Sequence, residues 1–243
     1  MFATASRLKY VIRGGVGVDT IDIEAAKARG VDVDNTPEAS SLAVAELAFA
    51  LMISLPCRIA EADASMKKGQ WLKKEMERTE LGGKTLGLVG IGRIARELAS
   101  RAKAFGMNVI SYDKYVSACE VAEMVGFDQL LERSDYISLH APLTGETKGM
   151  IGPAALAKMK KGAYLVNTSR GPLVDEAAVA AALAAGRLGG YAADVYANEP
   201  PQGSPLLSAP RVVLTPHIGA STEENLVRLG DAIVARIKKY AGS

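Results

Sequence analysis

One glycine-rich stretch constrains the fold of this chain more than any other feature. The apolar segment Thr85–Val89 has the length of a buried parallel strand, and residues 93–105 have the spacing of an amphipathic helix. Between them lies Gly90-x-Gly92-x-x-Ala95. The first glycine permits a tight turn, the second lets backbone approach a pyrophosphate, and the third position needs a small residue. The stretch predicts a βαβ unit that binds a dinucleotide, with a purely structural glycine turn as the alternative.

An acidic residue at the end of the next predicted strand indicates which dinucleotide is bound. Residues 109–112 form that strand, and Asp113 follows it, 18 residues after Ala95. A carboxylate at this place accepts hydrogen bonds from both ribose hydroxyls and repels a 2′-phosphate. We therefore predict NAD, in preference to NADP, as the cofactor.

The charge balance and the cysteines exclude several classes of partner. Lys and Arg number 29 against 27 Asp and Glu, with no long run of one sign, which argues against nucleic acid or a membrane as the main partner. The two cysteines, Cys57 and Cys119, lack metal-ligand spacing, and no metal is expected. The apolar stretch 42–55 contains Glu46 and is too short to span a bilayer, and residues 1–10 lack the core of a signal peptide. A cytoplasmic location is expected.

Strands and helices alternate along the rest of the chain. Further strands are predicted at 136–140, 164–168, 190–195 and 212–215, and helices at 153–160 and 175–185. Six strands joined by crossovers predict an α/β fold with a Rossmann doubly wound parallel sheet. Upstream, strands at 9–13 and 31–35 and helices at 20–29 and 41–55 predict part of a second α/β unit. A capping-box pattern at Ser221–Glu224 predicts a last helix that runs to about Tyr240.

The candidate catalytic groups all follow predicted strands. Hydride transfer at an alcohol carbon requires a group that exchanges the hydroxyl proton. The two histidines, His140 and His217, lie where ligands bind in such sheets, although each alone is more often structural. Glu199 and Arg170 also follow strands. A carboxylate fixes the tautomer of a nearby imidazole, and a guanidinium clamps a substrate carboxylate. We therefore predict that His217, with Glu199 beside it, exchanges the proton, and that Arg170 binds the substrate carboxylate.

The motifs, in their order, resemble those of the D-isomer-specific 2-hydroxyacid dehydrogenases over essentially the whole chain. They are the Gly90 turn and residues 11–19, 167–175, 194–200 and 216–222. The resemblance implies reversible oxidation of a (R)-2-hydroxy acid to a 2-keto acid, with hydride passing to the nicotinamide. It also implies that Arg170 binds the substrate, that His217 is the general acid and base, and that Glu199 is the partner of His217.

The same resemblance implies further contacts. Val16 and Gly17 are expected at the substrate. The residues expected along NAD are Gly90, Gly92, Arg93, Ile94, Asp113, Ala141, Thr168, Asp194, His217, Gly219 and Ala220.

Softer features point to one branch of the family. The run Gly69-Gln70-Trp71, the run from Leu81 to Thr85 and the short distance from Glu199 to His217 are similar to the phosphoglycerate dehydrogenase branch, which serves serine biosynthesis. Glyoxylate, hydroxypyruvate and lactate enzymes share much of this pattern and stay open as alternatives. Trp71 is equally compatible with a simple packing role.

The resemblance also predicts how the chain is divided. Residues 37–219 are expected to form the NAD-binding domain. Residues 1–36 are expected to be the remnant of a flavodoxin-like substrate domain, and residues 220–243 a helix that returns to it. Family members begin well before the strand at 9–13, so most of the substrate domain is expected to be missing, and no C-terminal regulatory domain is expected.

Two functional hypotheses remain open, together with one on assembly. The chain is either a working dehydrogenase or an NAD-binding module with little turnover. Such a module would be a truncated fragment or a nucleotide sensor like the C-terminal-binding-protein corepressors, which resemble the same family. By resemblance, a homodimer is expected through helix 41–55 and the segment 58–80.

Overall fold

The computed structural model describes residues 5–242. Residues 1–4 and Ser243, which belong to the two predicted flanking segments, lie outside the described residues. The chain divides into two compact units, one formed by Ala45–Ile218 and the other by the described parts of Met1–Val44 and Gly219–Ser243. The first boundary falls inside a helix rather than in a linker.

The described residues contain nine strands and eight α-helices. The strands are β1 (Tyr10–Arg13), β2 (Asp32–Asn35), β3 (Thr85–Val89), β4 (Asn108–Tyr112), β5 (Glu123–Met124), β6 (Tyr136–Leu139), β7 (Ala163–Asn167), β8 (Leu188–Ala193) and β9 (Val212–Leu214). The helices are α1 (Ile23–Lys27), α2 (Ser41–Cys57), α3 (Ile59–Lys67), α4 (Arg93–Ala104), α5 (Phe127–Arg133), α6 (Pro153–Lys158), α7 (Glu176–Ala184) and α8 (Glu223–Ala241).

The larger unit is built on a parallel sheet of seven strands. Their order is β5-β4-β3-β6-β7-β8-β9, and every neighbouring pair is parallel. The chain reverses its direction of travel across the sheet between β3 and β6, and open α/β sheets bind ligands at that switch point. The predicted Rossmann fold is confirmed. The sheet has one strand more than predicted, because β5 contains only two residues and therefore shows no periodicity.

Side chains from successive strand positions enter two separate cores. Ile137 and Leu139 of β6 pack with α5, α6 and α7 on one face of the sheet, whereas Tyr136 packs with α2 and α4 on the other. Alternate strand residues point to opposite faces, so a strand covered on both sides is apolar throughout. This burial makes the sheet a rigid platform for the loops at its carboxyl edge.

The smaller unit contains a two-stranded parallel sheet, β1 and β2, and the long helix α8. Arg236 of α8 lies 2.9 Å from a carboxylate oxygen of Glu38, and a Cβ on Gly14 would lie 3.0 Å from Ile233. The predicted start of α8 was wrong by one residue. The N-cap is Thr222 rather than Ser221, because the Thr222 hydroxyl accepts a hydrogen bond from the Asn225 N–H at 3.1 Å.

No single helix within residues 5–242 is long and apolar enough to cross a membrane. The helices α2 and α3 pass that test only as a pair, and they are bent by 64° relative to each other. In the same part of the chain, no three His, Cys, Asp or Glu side chains are grouped so that they could hold a metal ion.

Candidate active site

The Gly90 turn joins β3 to α4 at the switch point of the sheet. Gly90 has φ of +92°, and a Cβ there would lie 2.9 Å from the His140 carbonyl carbon and 3.0 Å from the Ala141 nitrogen. Gly92 has no heavy atom within 4 Å of its Cβ position, and Ala95 is fully buried. Gly90 therefore permits close packing against the end of β6, while the turn stays open at Gly92.

Asp113 ties this turn to the end of β4. Its Oδ2 accepts a hydrogen bond from the Ile91 N–H at 3.0 Å, and its Oδ1 accepts from the N–H groups of Tyr115 at 2.8 Å and Val116 at 3.2 Å. Ile91 is the residue between the two glycines of the motif. The carboxylate predicted to meet the ribose therefore also orders the backbone of the turn.

These residues fit a dinucleotide. The N-cap of α4 is Gly92, which provides no side-chain cap, so the first N–H groups of the helix are available to an anion. Arg93, in the first turn, is exposed. At the end of β7, the Thr168 hydroxyl is buried without a hydrogen-bond partner among the described residues. A buried hydroxyl without a partner is costly, and a ligand group beside it would satisfy it.

His217 and Glu199 contact each other at the carboxyl edge of the sheet, where β8 and β9 end. His217 follows β9, and its Nδ1 lies 2.7 Å from Glu199 Oε2. The Tyr196 N–H donates to Glu199 Oε1 at 3.2 Å, which fixes the carboxylate. The side chains of His217 and Glu199 remain 54% and 39% exposed, so a small molecule can reach them. Because Nδ1 bonds the carboxylate, Nε2 is the nitrogen left for proton exchange.

The backbone of His217 is held in an uncommon conformation by buried groups. Its φ is +55°, in the left-handed region that residues other than glycine rarely adopt. Asp194, which is almost fully buried, accepts hydrogen bonds at Oδ1 from the Thr215 hydroxyl at 2.6 Å and from the Ile218 N–H at 2.8 Å. Asp194 therefore pins both sides of the turn that carries His217.

Tyr196 also holds this turn. Its hydroxyl donates to the Thr215 carbonyl at 2.8 Å, and burial raises the pKa of Tyr196 to about 12. The hydroxyl therefore keeps its proton and stays a donor at neutral pH.

Sequence reasoning missed Glu176, which positions the loop carrying Glu199. Glu176 lies in the first turn of α7; its Oε1 accepts from the Ala197 N–H at 2.7 Å and its Oε2 from the Ser204 hydroxyl at 2.5 Å. No motif marks it, because an acidic residue at a helix start is common for local reasons. Only the long-range contacts show its role.

Arg170 follows β7 in a loop that Asn167 shapes. The buried Asn167 donates to the Arg170 carbonyl at 2.9 Å and accepts from the Ser169 N–H at 3.0 Å. A Cβ on Gly171 would lie 1.9 Å from the Tyr196 carbonyl carbon, so only glycine fits. This contact brings the loop of Arg170 against the loop that leads to Glu199.

The second histidine, His140, lies in a different environment. Its Nε2 lies 2.9 Å from the Ser138 hydroxyl, and burial lowers the pKa of His140 to about 4. The ring is therefore neutral at physiological pH. Its backbone is the surface on which Gly90 packs. The structure thus favours a structural role for His140.

Four predicted site residues, Val16, Gly17, Gly219 and Ala220, belong to the smaller unit. Asn35 donates to the Val16 carbonyl at 2.7 Å, Arg13 to the Gly17 carbonyl at 3.3 Å, and Asn225 to the Ala220 carbonyl at 2.6 Å. Their loops are thus ordered within that unit. Their roles toward substrate and cofactor stay predictions.

Known proteins resemble this chain in sequence. A family model described as the D-isomer specific 2-hydroxyacid dehydrogenase, NAD binding domain, matches residues 49–219. The D-3-phosphoglycerate dehydrogenase of Methanocaldococcus jannaschii is 47% identical over 241 residues, which are 97% of this chain and 46% of that protein. The hydroxypyruvate reductase of Thermotoga maritima is 46% identical over 239 residues, which are 97% of this chain and 78% of that protein. The chain spans about half the length of the phosphoglycerate dehydrogenases that it matches.

Solved structures resemble it in fold as well. The D-lactate dehydrogenase of Aquifex aeolicus, solved in complex with NAD and lactic acid, matches with a TM-score of 0.90 and 33% identity, over 97% of this chain and 76% of that one. The matched segment 49–219 contains the Gly90 turn, Arg170, Glu199 and His217, so the family match and the geometry coincide. This chain therefore belongs to the D-isomer specific 2-hydroxyacid dehydrogenase family, and residues 49–219 are its NAD-binding domain.

Proposed function

We propose that this chain carries the NAD site and the proton-transfer residues of a dehydrogenase that interconverts a (R)-2-hydroxy acid and a 2-keto acid. The observation that carries the proposal is the 2.7 Å contact between His217 Nδ1 and Glu199 Oε2. This contact lies at the carboxyl edge of the sheet that also holds the Gly90 turn. A dinucleotide turn and an exposed imidazole paired with a carboxylate are the two parts that such a reaction requires.

In the proposed mechanism, each group at the carboxyl edge has one task. A dinucleotide held at the Gly90 turn would supply the hydride acceptor, NAD+, for oxidation of the hydroxy acid and the hydride donor, NADH, for reduction of the keto acid. His217 Nε2 takes the hydroxyl proton during oxidation and returns it during reduction. Glu199 holds the tautomer through Nδ1 and stabilises the imidazolium that forms. Arg170 binds the substrate carboxylate and orients the carbon that exchanges hydride.

For the substrate, we propose D-3-phosphoglycerate, and with it a place in serine biosynthesis. The support is the 44 to 47% identity to proteins of that name from archaea, mycobacteria and rat. The alternatives are hydroxypyruvate, glyoxylate and lactate. Hydroxypyruvate has specific support, because the Thermotoga maritima hydroxypyruvate reductase is 46% identical and this chain covers 78% of its length.

The test is NADH consumption, followed at 340 nm, by the purified chain. Phosphohydroxypyruvate, hydroxypyruvate, glyoxylate, pyruvate and 2-oxoglutarate are offered in parallel, and NADH binding is titrated separately. Turnover that is lost in His217→Ala supports the proposal, and the best substrate names the branch. A folded chain that binds NADH and turns over none of these acids supports the other hypothesis, an NAD-binding module.

We propose, further, that two copies assemble through α2 and the segment 58–80. Three large apolar side chains in that segment, Ile59, Met66 and Trp71, are 54%, 54% and 75% exposed in the single chain. Contiguous exposed apolar patches mark protein interaction surfaces, and these three side chains belong to one 13-residue stretch of the chain. Light scattering should give twice the chain mass of 25.5 kDa, and Trp71→Ser should reduce the dimer fraction. A monomer at all concentrations contradicts this assembly.

The remaining partners are also proposals. The near-neutral charge, 29 basic against 27 acidic residues, supports a small-molecule partner rather than nucleic acid or a membrane surface. A cytoplasmic location stays a prediction.

A further inference from the structure

An ion pair spans the switch point of the sheet. Lys114 Nζ lies 2.5 Å from Glu146 Oε2, and the side chains are 51% and 71% exposed. Lys114 is in the loop after β4, and Glu146 is in the loop after β6. These two strands flank β3, whose carboxyl end continues into the Gly90 turn. The pair therefore connects the two loops on either side of the dinucleotide turn.

Both partners are placed by their own loops. Asp113 Oδ1 accepts hydrogen bonds from the N–H groups of Tyr115 and Val116, which orders the backbone around Lys114. On the other side, the Thr147 hydroxyl donates to the Pro142 carbonyl at 2.7 Å and accepts from the Thr144 N–H at 2.8 Å, which orders the turn that contains Glu146. The contact thus joins two preformed loops rather than two free chain segments.

Lys114 and its neighbour Asp113 favour different dinucleotides. A carboxylate at the end of this strand favours the ribose hydroxyls of NAD, whereas a cation beside it favours the 2′-phosphate of NADP. Glu146 pairs with the Lys114 ammonium group and adds a second negative charge, after that of Asp113, to this side of the turn. The ion pair therefore favours NAD. The hydrogen bond that Lys114 donates to Glu146 also raises the pKa of Lys114, as expected for a cation that is held by a carboxylate.

We propose that Glu146 determines cofactor specificity by holding Lys114 away from a ribose 2′-phosphate, so that the chain discriminates against NADPH. The inference rests on the proposed NAD-dependent function and adds to it a pair of residues that sets the choice between the two dinucleotides. Glu146 and Lys114 are positioning and specificity residues, and neither takes part in proton or hydride transfer.

The test is fluorescence titration of NADH and NADPH with the purified chain and three variants. In Glu146→Gln, we expect the Kd for NADPH to fall about three- to tenfold while the Kd for NADH changes by less than about twofold, because one released cation meets a phosphate at an exposed site. The gain should disappear in the double variant Glu146→Gln/Lys114→Met, and it should shrink at high salt.

Asp128→Asn is the matched control. It removes one carboxylate from another exposed ion pair, Lys158–Asp128 at 2.6 Å, with the same change in net charge. It should leave both Kd values unchanged. A Glu146→Gln variant with an unchanged ratio of the two Kd values overturns the inference, and so does a gain that persists without Lys114. If the unmodified chain binds neither dinucleotide, the proposed function fails as well, and the two failures are thereby distinguished.

Discussion

The carboxyl edge of the sheet carries two turns that are built in opposite ways. The Gly90 turn depends on backbone conformation within six residues of sequence. Gly90 makes the tight turn, Gly92 leaves open space beside it, and the helix α4 begins directly afterwards. The His217 turn depends on side chains from elsewhere in the chain. Its supports are Asp194, Tyr196 and Glu199, which follow a different strand. The first turn is therefore a local property of the chain, and the second is a property of the assembled sheet.

This difference separates binding from chemistry. A turn made of backbone can present N–H groups to any pyrophosphate, because every residue has them. A proton donor needs one side chain at one angle, and here that angle requires φ of +55° at His217. Strain of this kind persists only where surrounding contacts hold it. If the two turns are independent, a substitution in one should leave the function of the other intact.

The largest effect is expected from His217→Ala. Loss of the proton-transfer group should lower kcat by about 10²- to 10⁴-fold. The affinity for NADH should stay nearly constant, because the Gly90 turn and Asp113 are untouched. Steady-state rates and an NADH titration on the same preparation measure both. Equal losses of binding and rate would show that the two turns are not separable.

Gly90→Ala should damage the other turn. A Cβ at φ of +92° adds steric strain, and it also overlaps the His140 carbonyl carbon at 2.9 Å. We expect a loss of about 2–4 kcal/mol in the free energy of unfolding, together with weaker NADH binding. Gly83→Ala is the control, because Gly83 has φ of +75° but no heavy atom within 4 Å of its Cβ position. It should lose only the smaller strain contribution. If urea unfolding shows equal losses of free energy of unfolding in the two variants, the close contact between Gly90 and His140 does not contribute to the loss.

Asp194→Asn tests the support of the His217 turn. The amide oxygen can take the place of Oδ1, which accepts from both the Thr215 hydroxyl and the Ile218 N–H, but it lacks the negative charge that strengthens these hydrogen bonds. We expect about 1–3 kcal/mol of lost stability. We also expect kcat to fall more than NADH affinity. Asp175→Asn is the control, since Asp175 caps α7 and asparagine caps equally well. A variant that is destabilised but keeps its full kcat would separate Asp194 from the orientation of His217.

The smallest effect concerns pH and His140, on the side of the Gly90 turn. Burial lowers the pKa of His140 to about 4, below the ordinary value for histidine. Between about pH 6.5 and pH 4, the unfolded chain binds a proton here that the folded chain does not, so stability falls as the pH falls. We expect this contribution to reach about 1–2 kcal/mol between pH 7 and pH 5, because only the part of that interval below about pH 6.5 contributes. Urea unfolding at pH 7 and pH 5 should show a smaller loss in His140→Gln than in the parent. Identical losses would mean that the ring is not desolvated.

Most of the sheet could be predicted from the sequence, because buried parallel strands are apolar on both faces and are bounded by glycine or proline. The exceptions are instructive. The strand β5 has two residues, too few to alternate, and the helix α3 buries only Ser65, so no apolar stripe marks it in the sequence. The cap of α8 was misplaced by one residue because Ser221 and Thr222 are both good capping residues, and only the geometry selects between them.

The candidate site shows the same limit. His217, Glu199 and Arg170 could be proposed because each follows a predicted strand, and the carboxyl ends of parallel strands share one edge. Glu176 and the ion pair between Lys114 and Glu146 could not, because their partners lie 21 to 32 residues away in ordinary loops. The positive φ of His217 was equally invisible, since no residue type announces it.

The sequence by itself determined the fold class and the dinucleotide turn, and it predicted NAD as the cofactor. Each of these depends on backbone conformation and on residue types within a short window, where glycine, a small residue and a carboxylate have few alternatives. Only the tertiary structure decided which histidine meets a carboxylate, how Asp194 pins its turn and which anion occupies Lys114. Those outcomes depend on contacts between distant loops, which exist only after the strands have aligned and brought their carboxyl ends to one edge.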